Sequence, residues 1–243
     1  MIKLYQFPRA KYISSDSPFC MKLESYFRAI NIPYENQFIM DPRESPTGKI
    51  PYISDNNKLM SDSGLIIKHY EHIIEQPMQA NLSALEKSTT LAYTRLLEEH
   101  LYWTIVYSRW IDPEGVKIWK EQLLAGMSVP KLAFKLMFPS VQKKVRKQLY
   151  GHGIGRHSTE QIYLFAQENL QALSMLLADK AFFFGDQPTL LDHSAYSHFA
   201  SLVYLPFNSV LKDAMYSQEN LVQHYERMMQ LFFPEFVHQQ EIK

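Results

Sequence analysis

The chain has 243 residues, which at roughly 150 residues per domain makes one large domain or two modest ones. Lys and Arg number 25 and Asp and Glu number 25, whereas a nucleic-acid binder that used its whole surface would show a basic excess. The single cysteine, Cys20, excludes an intramolecular disulfide and any zinc site built from two or four thiolates.

Residues 2–7 are a short β-prone run that Pro8 stops. Residues 18–30 follow at helical spacing, with Phe19, Leu23, Phe27 and Ile30 on one face. Ser17 is the expected N-cap and Pro18 the first helical residue. Residues 34–40 read as a second strand, and 49–54 and 58–60 as two short strands around Asp55-Asn56-Asn57. A helix over 62–75 has Leu65, Ile66, His69, Tyr70, Ile73 and Ile74 as its expected inner face. This β-α-β-β-β-α order makes residues 1–76 a small α/β domain, followed by a linker over 76–81. From about residue 83 the strand signals stop. Helical patterns cover 83–111, 114–126, 130–150, 158–179, 189–203 and 217–231. Pro113, Pro130, Pro139, Gly151-His152-Gly153 and Gly185-Asp186 interrupt them. Residues 83–243 are therefore expected to form an all-helical domain. The N-terminus shows no apolar segment of signal-peptide length, and no apolar run reaches the roughly 18 residues of a membrane span, so a cytoplasmic location is expected.

Three local arrangements carry chemistry. Ser17-Pro18-Phe19-Cys20 opens a helix after a strand, where free N–H groups and the helix dipole favour an anion such as a thiolate. With no second cysteine, dithiol redox chemistry is excluded, and Cys20 reads as a buried small hydrophobe. Ser17 either caps the helix or donates a hydrogen bond to a bound thiolate. Ile50-Pro51 is a candidate cis bond whose flanking backbone an extended peptide ligand could pair with. Ser61-Asp62-Ser63 opens the next helix, where Ser63 and backbone N–H groups suit a carboxylate and Asp62 suits an ammonium. Further on, Thr189 and Asp192 have the spacing of an N-capping pair.

In that order, Ser17-Pro18-Phe19-Cys20-Met21-Lys22-Leu23-Glu24, Gly48-Lys49-Ile50-Pro51-Tyr52-Ile53 and Asp62-Ser63-Gly64-Leu65-Ile66 resemble the thioredoxin-like N-terminal half of glutathione transferases. The helical remainder fits the same family, and Gly185-Asp186-Gln187-Pro188-Thr189-Leu190-Leu191-Asp192 resembles its C-terminal capping motif. Ser17-Pro18-Phe19-Cys20 with Gly153-Ile154-Gly155-Arg156-His157 resembles the branch containing failed-axon-connections proteins, metaxins and bacterial relatives. The resemblance implies a thioredoxin-like domain joined to a helical one, with glutathione as co-substrate. Its thiol would lie near Ser17, its cysteinyl backbone on Ile50 and Pro51, its γ-glutamyl group at Asp62 and Ser63, and its glycyl carboxylate near Lys49. Because the loop over 9–16 is long, Ser14, Ser15 and Tyr12 are alternatives to Ser17. Tyr102, Tyr107 and Arg109, with Trp103, would wall the co-substrate site, or else serve as core. The implied activity is conjugation of the glutathione thiolate to a small apolar electrophile, a detoxification reaction, by a homodimer. Metaxin-like members are often import or scaffold components, so the rival is a non-catalytic binding module for protein or membrane partners.

Other signals carry less. Gly151-x-Gly153-x-Gly155 follows a helical segment, not the strand a dinucleotide loop needs. Arg156 and His157 line the interdomain cleft or serve structurally. His152 and His157 have no carboxylate nearby in sequence, so no metal site is expected. Residues 129–150 hold Lys131, Lys135, Lys143, Lys144, Arg146 and Lys147 and no acidic residue, interleaved with Leu132, Phe134, Leu136, Met137 and Phe138. This stretch is either an amphipathic element on an anionic membrane or a solvated helix face over a core.

Overall fold

The computed structural model describes residues 1–126 and 130–237. Residue 129, at the head of the basic stretch, and residues 238–243, at the end of the expected helical domain, lie outside the described residues.

β1 (Ile2–Gln6) buries Ile2, Leu4 and Gln6 and turns Lys3 outward, the period-2 pattern of a strand. α1 (Pro18–Ala29) begins at Pro18 with Ser17 as N-cap and carries the chain back, so that β2 (Tyr34–Phe38) lies parallel to β1. β2 ends at Phe38, opposite Gln6, because β1 has no further residue to pair. β3 (Tyr52–Asp55) runs antiparallel to β1 and forms a hairpin with β4 (Lys58–Ser61) across Asn56 and Asn57, both at positive φ as a tight hairpin turn requires. The strand signal at 49–51 does not become strand, since Pro51 has no N–H to donate to a ladder. The sheet order is β2-β1-β3-β4.

α2 (Ser63–Ile73) packs Ile66, Ile67 and Tyr70 against Ile53, Leu23 and Phe27. Its buried stripe is narrower than the periodicity implied, leaving Leu65 60% and Ile73 61% exposed.

The helical half opens with α3 (Ala84–Arg95), capped by Ser83 and Glu86, and runs through a π turn (Leu96–Leu101) directly into α4 (Tyr102–Trp110). α5 (Pro113–Gly126), α6 (Lys131–His152), a 3₁₀ turn (Ile154–Arg156), α7 (Thr159–Leu177) and α8 (Leu190–Val203) follow. Then come α9 (Val210–Tyr216), α10 (Glu219–Phe232) and α11 (Pro234–Val237). Pro139 does not interrupt α6. Lys135, whose carbonyl loses its helical donor there, is exposed, so water can satisfy it. Among the described residues no helix is long and apolar enough to cross a membrane.

α8 is buried from Leu191 to Val203 and packs on α10, sharing one core with α7 through residues such as Leu170, Tyr196, Phe199 and Met229. Its start is fastened as the Thr189–Asp192 spacing predicted: the Thr189 N–H and hydroxyl donate to Asp192 Oδ2 at 2.7 Å. The Phe183 N–H and His224 Nε2 reach Oδ1 at 3.0 and 2.8 Å. Burial alone would push the Asp192 carboxyl up; His224, Phe183 and Thr189 together hold it below the ordinary range. α8 also joins the two halves by packing along α1, where His193 Nδ1 lies 2.9 Å from Ser25 Oγ.

Burial pushes the pKa of both His193 and His198 down to about 4, so both are neutral in the folded protein at pH 7. The unfolded chain binds protons at these positions near the ordinary value of about 6.5. Stability is therefore fully present above pH 6.5 and falls as the pH drops towards 4, by about 3 kcal/mol per histidine. Urea midpoints measured across that window should decline steadily, and the His193→Gln, His198→Gln double variant should show a flatter profile there.

Candidate functional site

The register of the sheet brings the motifs together. Tyr5, the penultimate residue of β1, pairs with Tyr52, the first of β3, which pairs with Ser61, the last of β4. Their rings and termini mark one end of the sheet, with Tyr5 and Tyr52 stacked at 4.4 Å. The loop into α1 leaves from that end, Ile50-Pro51 enters there, and α2 starts there. Ser17, Lys49, Ile50, Pro51, Asp62 and Ser63 thus belong to segments that converge on one edge.

The loop over residues 7–17 is held by a buried carboxylate. Glu24 of α1 is fully buried and receives Arg9 Nη1 and Nη2 at 2.5 and 2.6 Å, Gln6 Nε2 at 3.0 Å and the Tyr34 hydroxyl at 2.9 Å. Burial would raise the Glu24 carboxyl, but Arg9, Gln6 and Arg28 hold it below the usual carboxylate range. Arg9 Nη1 also donates to the Ser14 carbonyl at 3.2 Å, which fixes the loop's path. The Ser17 N–H donates to Ser15 Oγ at 3.2 Å. Ser17 is half-buried, and its side chain makes no hydrogen bond to the helix N–H groups. Ser17, Ser15 and the backbone of Phe7 instead act on the Cys20 thiol, each favouring its ionised form. Burial pushes the Cys20 thiol up to about 11 despite them, which leaves it a buried, protonated thiol. Ser14 Oγ is buried with no hydrogen-bond partner among the described residues.

The Ile50–Pro51 bond is cis, and Ile50 precedes the ladder that begins at Tyr52. Lys49 is exposed on the approach. Asp62 caps α2, its Oδ1 accepting from the Leu65 N–H at 3.0 Å, while its own backbone sits at φ 75°, ψ 115°. A non-glycine residue there stores roughly 1–3 kcal/mol of strain, and such residues concentrate at ligand sites. Ser63, the first residue of α2, is buried. A Cβ on Gly64 would meet Asp62 Oδ1 at 3.2 Å and Lys22 Nζ at 3.9 Å, so a cation from α1 reaches the start of α2. Lys22 is itself buried and pairs with Glu98 of the π turn at 2.5 Å. Sequence reasoning missed this pair. The available signal was a lysine on the inward side of α1.

Tyr102, Tyr107 and Arg109 separate. Tyr102 packs edge-on against Phe19 at 4.9 Å and so stands beside the start of α1. Tyr107 does not wall a cleft: its hydroxyl lies 2.7 Å from Thr159 Oγ1 and its ring meets Tyr163, between α4 and α7. Arg109 is also a correction. It is buried over the Trp119 ring and donates to the carbonyls of Asp16 at 2.8 Å and Ser201 at 3.3 Å, tying the loop to α8 instead of facing a substrate. Sequence reasoning missed a cavity of about 860 Å³ beside the loop, lined by Tyr12, Asp16, Gln122, Tyr204, Lys212 and Tyr216 among others. Tyr12 stacks on Tyr204, and Gln122 donates to Asp16 at 2.9 Å. Burial raises the Asp16 carboxyl, opposed by Arg109 and Gln122. Trp103 stacks on His152 in the helical half. Arg156 and His157 line a smaller hollow there with His100, His152 and Phe165, not the interdomain cleft.

Residues 18–115 match the family model described as the glutathione S-transferase N-terminal domain, and residues 166–228 match the glutathione S-transferase C-terminal domain. The chain is 35% identical over 246 residues to Failed axon connections of Drosophila melanogaster, covering 97% of this chain and 59% of that protein, so it spans less than two thirds of that relative. It is 31% identical over 234 residues to the isoprene-epoxide glutathione S-transferase of Rhodococcus sp. (strain AD45), covering 94% and 98%. It is 29% identical over 220 residues to Metaxin-1 of Mus musculus, covering 86% and 68%. Among solved structures, glutathione S-transferase III in its apo form matches at 15% identity with a TM-score of 0.61, covering 98% of this chain and 95% of that one. A Methylobacillus flagellatus glutathione S-transferase with glutathione bound matches at 15% identity and 0.61, covering 94% and 95%. These two likenesses speak to the fold.

At pH 8 a thiol with a pKa of about 11 is about 0.1% thiolate, against roughly a quarter for an ordinary cysteine. Because a thiolate of higher pKa is also more nucleophilic, native protein titrated with an aromatic disulfide reagent at pH 8 should react at least about tenfold more slowly at Cys20 than urea-unfolded protein. Comparable rates would show that the thiol is open to solvent.

Proposed function

This chain belongs to the glutathione S-transferase family, in the branch that includes failed-axon-connections proteins and metaxins, and from that premise we propose that it binds glutathione and conjugates its thiolate to a small electrophile. The observation that carries the reading is the start of α2, where Asp62 is held at positive φ beside Ser63 and the Lys22 ammonium. That arrangement offers a carboxylate for the γ-glutamyl ammonium, and N–H groups, a hydroxyl and a cation for its carboxylate. Ile50, outside the ladder, supplies backbone for the cysteinyl residue, and exposed Lys49 supplies charge for the glycyl carboxylate.

Laid along that edge, the ligand places its sulfur at the start of α1. There the helix N–H groups and the Ser17 hydroxyl favour the thiolate over the thiol, provided Ser17 turns from Cys20 to the ligand. Ser17 donates a hydrogen bond and makes no bond to the substrate; the carbon–sulfur bond forms from glutathione's own sulfur. Tyr102 flanks this point, and the cavity starting at Asp16 supplies space for the electrophile. Tyr12, Tyr204 and Tyr216 give it aromatic faces, and Lys212 a cation, so it suits an electrophile with an apolar body and a polar end better than a wholly apolar one.

A second reading has its own support. The Ser17 hydroxyl already acts on the buried Cys20 thiol, and the chain resembles Metaxin-1 as well as a transferase, which favours a glutathione-transferase-like binding module without turnover. Calorimetry and a pH titration of the bound thiol's absorbance separate the two. The intact protein should bind glutathione saturably, and Asp62→Ala should weaken binding about tenfold, or about 1.4 kcal/mol. Ser17→Ala should leave affinity nearly unchanged while raising the bound thiol's pKa by about one unit. No saturable binding at millimolar glutathione overturns the proposal. A thiol pKa that Ser17→Ala does not move removes Ser17 from the mechanism, and a wild-type bound thiol that keeps the pKa of free glutathione selects the module without turnover.

A further inference from the structure

We propose that the outer face of α6 docks on an anionic lipid surface. α6 turns Phe134, Phe138 and Leu149 inward, towards α4, α5 and the 3₁₀ turn. Three further apolar residues point away from that core: Leu132 is 70% exposed, Leu136 74% and Tyr150 60%. Leu132 and Leu136 are four residues apart and so lie side by side on one face. Continuing at helical spacing, that same line passes through Lys143 and Lys147, with Lys135 and Arg146 on its flank, all exposed. Arg156 lies over the Tyr150 ring at 4.6 Å and extends the basic surface past the helix end.

Between Glu121 and Glu160 the chain has no acidic residue, and among the described residues none of the α6 cations takes part in an ion pair. Because the whole chain balances 25 basic against 25 acidic residues, the rest of the molecule carries a net negative charge. An anionic surface would therefore draw α6 inward and push the other faces away, which orients the protein as well as attracting it. At about 1.5 Å per residue, 22 residues give a rod of about 33 Å that can lie flat on a headgroup layer.

The two exposed leucines decide the class of partner. A phosphate backbone gives them nothing, whereas the boundary of headgroups and acyl chains takes both leucines and lysines. A second copy meeting this face about a two-fold axis would set Lys143 and Lys147 against the same lysines, so self-pairing is disfavoured. This inference does not rest on glutathione binding.

Co-sedimentation of the full chain with vesicles of phosphatidylcholine and phosphatidylserine at 7:3, beside pure phosphatidylcholine vesicles, tests it at low and high salt. Wild type should pellet with the anionic vesicles alone, and less so at high salt. Lys143→Glu, Lys147→Glu should reduce partitioning at least tenfold, since each basic residue near an anionic leaflet contributes roughly fivefold. Leu132→Ser, Leu136→Ser should reduce it several-fold. All four positions are exposed, so melting temperatures should match wild type. Absence of pelleting at low salt, or equal pelleting with neutral vesicles, overturns the proposal. Partitioning untouched by the leucine pair also overturns it, in favour of an acidic protein or polyanion. So does a wild-type dimer that the leucine pair dissociates while vesicle partitioning stays unchanged.

Discussion

The Glu24 carboxylate is the interaction on which the rest of this structure depends. It is fully buried, yet it collects donors from the first strand, the loop after it, the second strand and its own helix. An isolated buried charge is expensive; here it persists because Arg9 meets it with both terminal nitrogens and Gln6 and Tyr34 occupy its other lone pairs. Arg28 extends the network across the domain boundary, donating to the Phe232 carbonyl at 2.7 Å and pairing with Glu235 at 2.6 Å. The loop that carries Tyr12, Ser14, Ser15 and Ser17 is therefore not free to take any path. One carboxylate sets its root, the sheet behind it and the end of the last long helix.

The second constraint is topological. A parallel β-α-β unit places the start of its helix at the end of its first strand, and the antiparallel hairpin returns the chain to that same end. Three segments distant in sequence meet there without any side chain having to arrange it. What the side chains add is polarity. Asp62 holds a strained backbone open at α2, and the Lys22–Glu98 pair links α1 to the π turn behind it, so the N-terminal half's site leans on the helical half. Burial of such a pair gains little net stability; its contribution is to fix the distance between α1 and the long helix.

Legibility followed how local each signal was. The Ser17–Pro18 helix start, the Asn56-Asn57 hairpin and the Thr189–Asp192 cap could be read because their partners lie within four residues. The glutathione transferase resemblance rested on short motifs of the same kind. Tyr107 and Arg109 were placed on the right helix but on the wrong neighbour, because periodicity gives a face and not what that face meets. Lys22 and Glu98 are 76 residues apart, and no spacing rule spans that interval. α9 was missed because seven residues are too few to show a period, and the cavity was missed because its walls come from five separate stretches.

The π turn at Leu96–Leu101 has a further consequence. There the Tyr102 N–H reaches back five residues to the Leu97 carbonyl, so one more residue is wound into the turn than an α-helix would hold. Every residue after it is rotated by about 100° relative to an uninterrupted helix. The rod therefore acts as a phase shifter. Glu98 answers to Lys22 of the first domain, while His100, two residues on, lies 3.1 Å from Asn169 of α7. A single deletion in this turn would leave the length of the rod almost unchanged and yet exchange its audience, presenting to the helical core the side chains that now address the N-terminal half.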